Sequence, residues 1–465
     1  MKAPIFRGLF GPPHPLRLSA LFADRVNMVE SVTAPGTNMD HFHYRDGCLH
    51  CESVPIRRIA ESVGTPAYIY STATLRRHYQ NMAEAFGPLN PILCYSIKSC
   101  PNLAICKLLR ECGSGFDVVS GGELYRAMAA GADPSRIVFA GVGKTDDEIN
   151  AGIDAKIGWF NIESEPELEN LIALAAKRKT SVRAALRINP DVDPHTHRYT
   201  TTGVKETKFG VDIARARRVF ERFGRQDSVR LCGIHLHIGS PVNSVEPYVA
   251  AVRKSLTLIE SLRGDGFKID TLDIGGGFGA HYRGSEAPPP AEYAKAILPL
   301  LEGKGLQIIL EPGRSIAANA GILIGRVTYV KDGGDRHFVI LDAGMNDLIR
   351  PALYEAYHFI WPVEPAAGFV PDARGEAATF DGLINSDVVG PVCETGDFFA
   401  KERPLPPVAR GDWIAMFTAG AYGMAMASHY NSRPNPPEVL VDGGNFRVIR
   451  RRETYEDLLA AERNL

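Results

Sequence analysis

The sequence predicts an α/β chain in which a closed (β/α)8 barrel is followed by a second, mostly β domain. Three observations predict it. Between residues 71 and 311, short β-branched apolar runs alternate with amphipathic stretches, and eight such units can be counted. Past Arg314 the rhythm changes to strands separated by Gly, Pro, Asp and Asn turns. Regular alternation argues for a parallel sheet, and the count of eight argues for closure into a TIM-type barrel. A doubly wound open sheet is the alternative on pattern alone.

The elements follow in order. The segment MKAPIFRGLFGPPHPLRLSA is Pro-rich and without regular periodicity, and it lacks the apolar core and cleavage site of a secretory signal. Residues 1–38 therefore read as a disordered extension ahead of a start at Met39. A helix over Leu75–Phe86 precedes the first strand. The barrel strands are expected at Pro91–Ile97, Gly115–Val119, Arg136–Ala140, Ile157–Ile162, Val182–Asn189, Leu231–Ile238, Thr271–Ile274 and Leu306–Leu310. Helices between them include Glu167–Lys177, Ile213–Phe223 and Tyr248–Leu262. Beyond residue 315, strands are expected at Ile322–Val330, His337–Leu341, Thr379–Asn385, Asp387–Val389, Trp413–Phe417, Glu438–Val441 and Asn445–Arg450, with helices only at Asp347–Tyr357 and Tyr455–Arg463.

Composition narrows the function classes. The chain has 465 residues, 45% apolar and 23% charged, which are globular proportions. With 52 Lys+Arg against 54 Asp+Glu there is no overall basic footprint for nucleic acid. The best apolar run, Ile316 to Gly325, is too short for a membrane helix, so no membrane partner is expected. Cys48 and Cys51 form one CxxC, and Cys94, Cys100, Cys106 and Cys112 are evenly spaced. No second CxxC or His pair completes a metal set, so reduced thiols in a cytoplasmic protein, with no metal, is the reading.

In a barrel of this kind chemistry sits at the C-terminal ends of the strands. The first strand ends in Lys98, on the same face as Ile92, Cys94 and Ser96. The sixth carries His235 and His237, which suit a metal only with a third ligand, or a flat ligand against one imidazole. The seventh runs into LDIGGGFG, glycines that let the backbone approach a phosphate but do not follow dinucleotide spacing. The eighth ends in Glu311, followed by Gly313 and Arg314. Lysine, imidazole, phosphate-type glycines and a carboxylate at four strand ends are the groups pyridoxal 5'-phosphate requires.

Those residues lie in segments that carry a resemblance: YSIKS, GFDVVSGGEL, NPDVDPHTHRYTTTGVKETKFG, HLHIGS, DIGGGFG, EPGR, DAGMNDLIRPALY, GPVCETGD and GAYGMAM. From about Phe42 to Tyr455 the chain resembles the diaminopimelate decarboxylases, within the alanine-racemase-like barrel family of pyridoxal-phosphate decarboxylases. The resemblance implies Lys98 as the cofactor lysine and His237 stacked on the ring. It implies Ser240, Gly275, Gly276, Gly277, Gly313 and Arg314 around the phosphate, Tyr422 beside it, and Glu311 on the pyridinium. It further implies that residues 39–70 join residues 315–465 in the β domain, leaving 71–314 as the cofactor-binding barrel. The sites are implied to form between two subunits of a homodimer. Two positions depart from the family pattern: Ser99-Cys100 stands where Ala-Asn is usual, and CETGD where CESGD is usual.

The cofactor set is shared with ornithine and arginine decarboxylases, so substrate is argued separately. Diaminopimelate carries a carboxylate and an ammonium at its far end, which call for a guanidinium and an anion. Arg350 and Tyr354, four apart in LIRPALY, share one face of a helix, and Glu394 follows Cys393. In the family, positions matching Arg314, Arg350, Tyr354, Glu394 and Tyr422 contact substrate, and Cys393 or Lys98 is the acid that reprotonates the α-carbon. The expected activity is decarboxylation of meso-2,6-diaminopimelate to L-lysine and CO2, the final step of lysine biosynthesis. A decarboxylase for another substrate with a far carboxylate, such as carboxynorspermidine, is the nearest alternative. A cofactor carrier without turnover is the alternative from another class, and the second domain with Arg350 and Glu394 argues against it.

Overall fold

The computed structural model describes residues 40–193, 208–284, 287–372, 374 and 380–463. The expected extension 1–38 and residues 194–207 of the longest motif lie outside them. Eight parallel strands form the barrel: Ile92–Ser96, Gly115–Val118, Ile137–Phe139, Trp159–Ile162, Val182–Asn189, Val229–His235, Thr271–Asp273 and Gln307–Leu310. Each pairs with the next, and the eighth returns to the first through Ile309↔Ile92 and Leu310↔Leu93, so the sheet closes. The predicted barrel is therefore observed and the open sheet is not.

Helices cover the outside because one face of each is apolar. In Ile213–Phe223, Ala216, Val219, Phe220 and Phe223 are buried at helical spacing, while Arg215, Arg217, Arg218 and Arg222 face solvent. Their starts are fixed locally: Thr145 and Glu148 form a capping box ahead of Asp146–Ala155, and Ser164 accepts from the Glu167 amide. Inside the barrel, Cys94, Val138, Trp159 and Ile309 pack as one buried cluster. Cys94 is thus a core side chain, and all eight cysteines are free thiols.

The β region is a sheet ordered Phe398–Leu405, Ile384–Val389, Arg336–Leu341, Gly321–Gly333, Ala67–Ser71, Glu438–Asp442, Asn445–Arg450. Trp413–Met416 also pairs with Gly321–Gly333, and Ile360–Pro362 with Trp413–Met416. Ala67–Ser71 sits between Gly321–Gly333 and Glu438–Asp442, so an early strand is built into a late sheet.

The sequence reading needs four corrections here. The strand expected at Asp387–Val389 is continuous with the end of the one expected at Thr379–Asn385. The observed strand is Ile384–Val389, with register irregularities around Ser386 and Val388 that break its alternation. Phe398–Leu405 is a strand despite its Lys, Glu, Arg and Pro, because it lies at the sheet edge, exposes Lys401 and Glu402, and satisfies half-buried Arg403 on the His358 carbonyl. The helix expected at Asp347–Tyr357 is confined to Arg350–Tyr354, since Asp347 is engaged in a turn, accepting from the Gly344 amide, and Glu355 is left-handed. The helix expected at Tyr455–Arg463 is the single turn Tyr455–Leu458.

Candidate active site at the barrel mouth

The carboxyl ends of the barrel strands converge on a pocket of about 360 Å3 lined by His237, Ser240, Tyr282, Arg314, Arg350, Tyr354 and Tyr422 among others. Its floor is built from strand ends. Lys98 stands in a short turn, Ile97–Ser99, just past the first strand rather than on it. Its Nζ donates to Asp117 Oδ2 at the end of the second strand, and Ser96 Oγ donates to the same oxygen at 2.6 Å. Burial lowers the Lys98 pKa, but Asp117 and Glu311 more than offset it and hold the ammonium above the ordinary lysine range.

Glu311 is buried, 3.5 Å from His235 Nε2 and 3.1 Å from Asn161 Nδ2, which also donates to Asp273 Oδ2 at 2.9 Å. Two carboxyls this close do not both ionise. Burial pushes Glu311 up, but the His235 ring, Lys98 and a hydrogen bond with Asp273 hold it below the usual carboxylate range. Burial and the charge of Glu311 push Asp273 well above it. Glu311 is the anion and Asp273 the neutral acid. One nitrogen of His235 and one oxygen each of Asp273 and Glu311 lie within 4.8 Å of one another; His237 is not part of this group, so the two histidines do not act as a pair here.

The sixth strand ends at His235, and His237 lies beyond it. Gly276 N–H donates to His237 Nδ1 at 3.3 Å, so the ring's own proton belongs on Nε2. Burial, then Arg187 and Lys98, push the His237 pKa well below its ordinary value, so the ring is neutral. The glycine run cannot be replaced. Gly275 has φ +69°, and a Cβ there would lie 2.2 Å from the Leu236 carbonyl oxygen. A Cβ on Gly276 would lie 2.2 Å from the Glu311 carbonyl oxygen, and one on Gly277 2.1 Å from that of Gly239. Gly313 similarly passes close to Ser96, where a Cβ would come within 2.8 Å of the serine Cβ.

At the rim, Arg314 Nε donates to Ser240 Oγ at 3.1 Å and lies over the Tyr422 ring at 4.7 Å. Tyr422 is held there in a left-handed conformation, φ +56°, by its amide bond to the Ser99 carbonyl at 2.7 Å. Arg350 and Tyr354 lie on one short helix and both face the pocket. Arg314 and Arg350 each donate to one oxygen, Tyr282 Oη, at 2.7 and 2.9 Å.

His237, Ser240, Arg314, Arg350, Tyr354 and Tyr422 thus line one cavity, while Lys98, Gly275–Gly277, Glu311 and Gly313 are not among its lining residues and stand at neighbouring barrel strand ends. Cys393 and Glu394 do neither. Both are exposed in this chain; the Cys393 amide donates to Asn431 Oδ1 and Glu394 accepts from Tyr430 Oη at 2.8 Å. Their loop is fixed by Asp397, whose carboxylate accepts from the Val392 and Met345 amides, both at 2.6 Å. Asp117, Asn161, Asp273 and Tyr282 were absent from the sequence reading. The first three lie on barrel strands with inward side chains, a signal the strand-end rule contained; Tyr282 lies in a loop and had none.

The arrangement has known relatives. The family model described as pyridoxal-dependent decarboxylase, pyridoxal binding domain, matches residues 72–318. Diaminopimelate decarboxylase of Aquifex aeolicus (strain VF5) is 46% identical over 417 residues, covering 90% of this chain and 96% of its own. The crystal structure of diaminopimelate decarboxylase from Helicobacter pylori complexed with L-lysine is 40% identical, with TM-score 0.82, covering 88% of this chain and 99% of that one. The structure from M. jannaschii in co-complex with L-lysine is 35% identical, with TM-score 0.85, covering 92% of this chain and 98% of that one.

Proposed function

The chain belongs to the diaminopimelate decarboxylase family of pyridoxal-phosphate enzymes, and we propose that it removes the carboxylate at the D-centre of meso-2,6-diaminopimelate, giving L-lysine and CO2 as the last step of lysine biosynthesis. The observation that carries this reading is the pair Arg314 and Arg350. Both are buried, and neither has a carboxylate partner among the described residues. A plain diamine precursor offers nothing to the second cation, whereas the far carboxylate of diaminopimelate does.

The residues fit the cofactor. The close-packed glycine run leaves no room for side chains and so permits the close backbone approach a phosphate needs, and Arg314 with Ser240 supplies a cation and a hydroxyl. Glu311, buried and ionised, suits a ring nitrogen that must keep its proton. Asp117 Oδ1 and both His235 nitrogens are buried without a hydrogen-bond partner in the chain alone. When bound, pyridoxal phosphate supplies an electron sink for the pair left as CO2 departs. The chain's part is to hold and orient. Lys98, paired with Asp117, would be the attachment residue. Neutral His237 would pack against the ring, and ionised Glu311 would favour a protonated ring nitrogen. Arg350 and Tyr354, which line the pocket, would bind the far end of the substrate and so orient its D-centre.

Two residues complete the site from a second copy. Cys393 is the acid for the α-carbon, and Glu394 the anion for the far ammonium. In this reading they serve a neighbour's pocket, which fits their exposure and that of Tyr430, which bonds Glu394 and is 45% exposed. Residues 71–314 form the cofactor domain, and residues 39–70 with 315–465 the β domain. Among the described residues no helix is long and apolar enough to cross a membrane, and we place the enzyme in the cytoplasm, where its substrate is made.

Product analysis tests the activity: meso-diaminopimelate is expected to yield L-lysine, with ornithine, arginine and lysine unreactive. Subunit mixing tests the shared site. Lys98→Ala and Glu394→Ala proteins are each expected to be nearly inactive. Mixed equally and allowed to exchange, they are expected to recover about a quarter of wild-type activity, since each heterodimer carries one site with neither lesion. No recovery after demonstrated exchange would place both residues in one subunit's site.

A further inference from the structure

The two guanidiniums at the mouth are held by a residue with no role assigned so far. Tyr282 lies in the loop that leaves the GGGFG run, and its phenol oxygen accepts from Arg314 Nη1 at 2.7 Å and Arg350 Nη1 at 2.9 Å. The Arg350 guanidinium lies 4.9 Å over the Tyr282 ring, and the ring meets His358 edge-on at 5.7 Å. His358 is itself fixed by its Nδ1 contact to the Phe417 carbonyl at 2.8 Å, so the phenol is backed by the β region while it faces the barrel. Arg350 Nε is buried and without a hydrogen-bond partner among the described residues. Two buried cations share one neutral oxygen and have unused donor capacity, which is the state of a clamp awaiting an anion. Without the oxygen, Arg350 keeps its stacking on the Tyr282 ring but loses the hydrogen bond that orients it as the fork a carboxylate meets bidentately.

We propose that Tyr282 is a positioning residue for substrate specificity: its phenol oxygen ties Arg314 to Arg350 and presets the pair to receive the far carboxylate of the substrate. The inference rests on the diaminopimelate reading given above. It assigns to Tyr282 a share of binding and none of bond-breaking, because the phenol touches neither Lys98 nor Glu311 in any contact observed. The groups facing it include Arg314, Arg350 and the His358 ring; burial holds the last down at about 3, so it is neutral. Burial alone would raise the phenol's own pKa, but the two arginines more than offset it and bring it below the ordinary tyrosine value. At high pH a phenolate would compete with the substrate carboxylate for the same donors.

The experiment uses the holoenzyme. Tyr282→Phe keeps the ring and removes the oxygen. The expected result is a KM for diaminopimelate raised about tenfold with kcat within about twofold, and L-lysine, which retains the far carboxylate, bound about tenfold more weakly by calorimetry. In an Arg350→Ala background the same change is expected to lower kcat/KM by at most about threefold, because the tie has already been cut. In the wild type KM is expected to rise towards alkaline pH, and in Tyr282→Phe this rise is expected to vanish. That wild-type profile stands as a test even if the variant folds poorly. Equal losses in both backgrounds, or a loss confined to kcat, or an alkaline limb that survives the substitution, would overturn the role given to Tyr282. Wild-type protein that releases no lysine from diaminopimelate would overturn the functional reading instead.

Discussion

At the floor of the pocket two acids and a histidine, all buried, are arranged around Asn161, and the charge on Glu311 is answered within the chain by Lys98 and by a hydrogen bond with neutral Asp273. At the rim two buried arginines share a phenol, one of them also donating to a serine, and they meet no carboxylate among the described residues. The contrast separates two kinds of electrostatic design. A floor whose charges balance internally suits a resident group that stays through every turnover. A rim whose charges are left open suits a ligand that comes and goes, since its anion completes the site only while bound. Changes at the floor should therefore act on chemistry, and changes at the rim on binding.

The largest effect is expected at Lys98. Lys98→Ala should lower kcat by about 10³-fold or more, and borohydride should no longer fix the cofactor to the chain. Mass spectrometry after reduction reads this directly; a variant that still retains the label would move the attachment point elsewhere. Glu311→Gln follows, with kcat lower by about 10²-fold and KM little changed, because it removes the anion that keeps the ring proton. The cofactor's absorption spectrum should shift in this variant while its stoichiometry stays at one per chain.

The rim should behave differently. Arg350→Ala is expected to raise KM for diaminopimelate by about 10²-fold, since two charged hydrogen bonds to one carboxylate are lost. The cofactor should remain bound. If kcat fell at constant KM instead, the division between floor and rim would fail.

Much of this division is legible in the sequence, and the reason is geometric. Barrel strands are short and regular, so a residue at a strand end is also a residue at the mouth; Lys98, His237, Gly275 and Glu311 could be read that way. The same rule covers Asp117 and Asp273, but single acids in FDVV and LDIG look like ordinary strand ends until the neighbouring strand is known. The β region was less legible. Ile384–Val389 is irregular in register, and Phe398–Leu405 is an edge strand with Lys401 and Glu402 turned to solvent. Tyr282 was invisible because a loop has no period, and what matters in it is which two arginines, 32 and 68 residues away, come to the same oxygen.

The smallest effect is expected from the second acid of the floor, and it tests the charge assignment most sharply. If Asp273 is the neutral partner of Glu311, its carboxyl already resembles an amide in charge and hydrogen bonding. Asp273→Asn keeps an oxygen to accept from the Gly275 amide, now at 2.9 Å, and offers an N–H toward Glu311 where the acid offers its O–H; it gives up the acceptor that Oδ2 presents to Asn161 Nδ2, which still donates to Glu311. The loss in kcat should be no more than about threefold, against the far larger loss for the chemically identical change at Glu311. Because burial and the charge of Glu311 push Asp273 up while Glu311 is held down, an Asp273 that keeps its proton contributes no limb to the kcat profile, and Asp273→Asn should leave that profile unchanged in shape. A loss as large as that of Glu311→Gln would mean that Asp273 carries the negative charge, and the two acids would exchange roles.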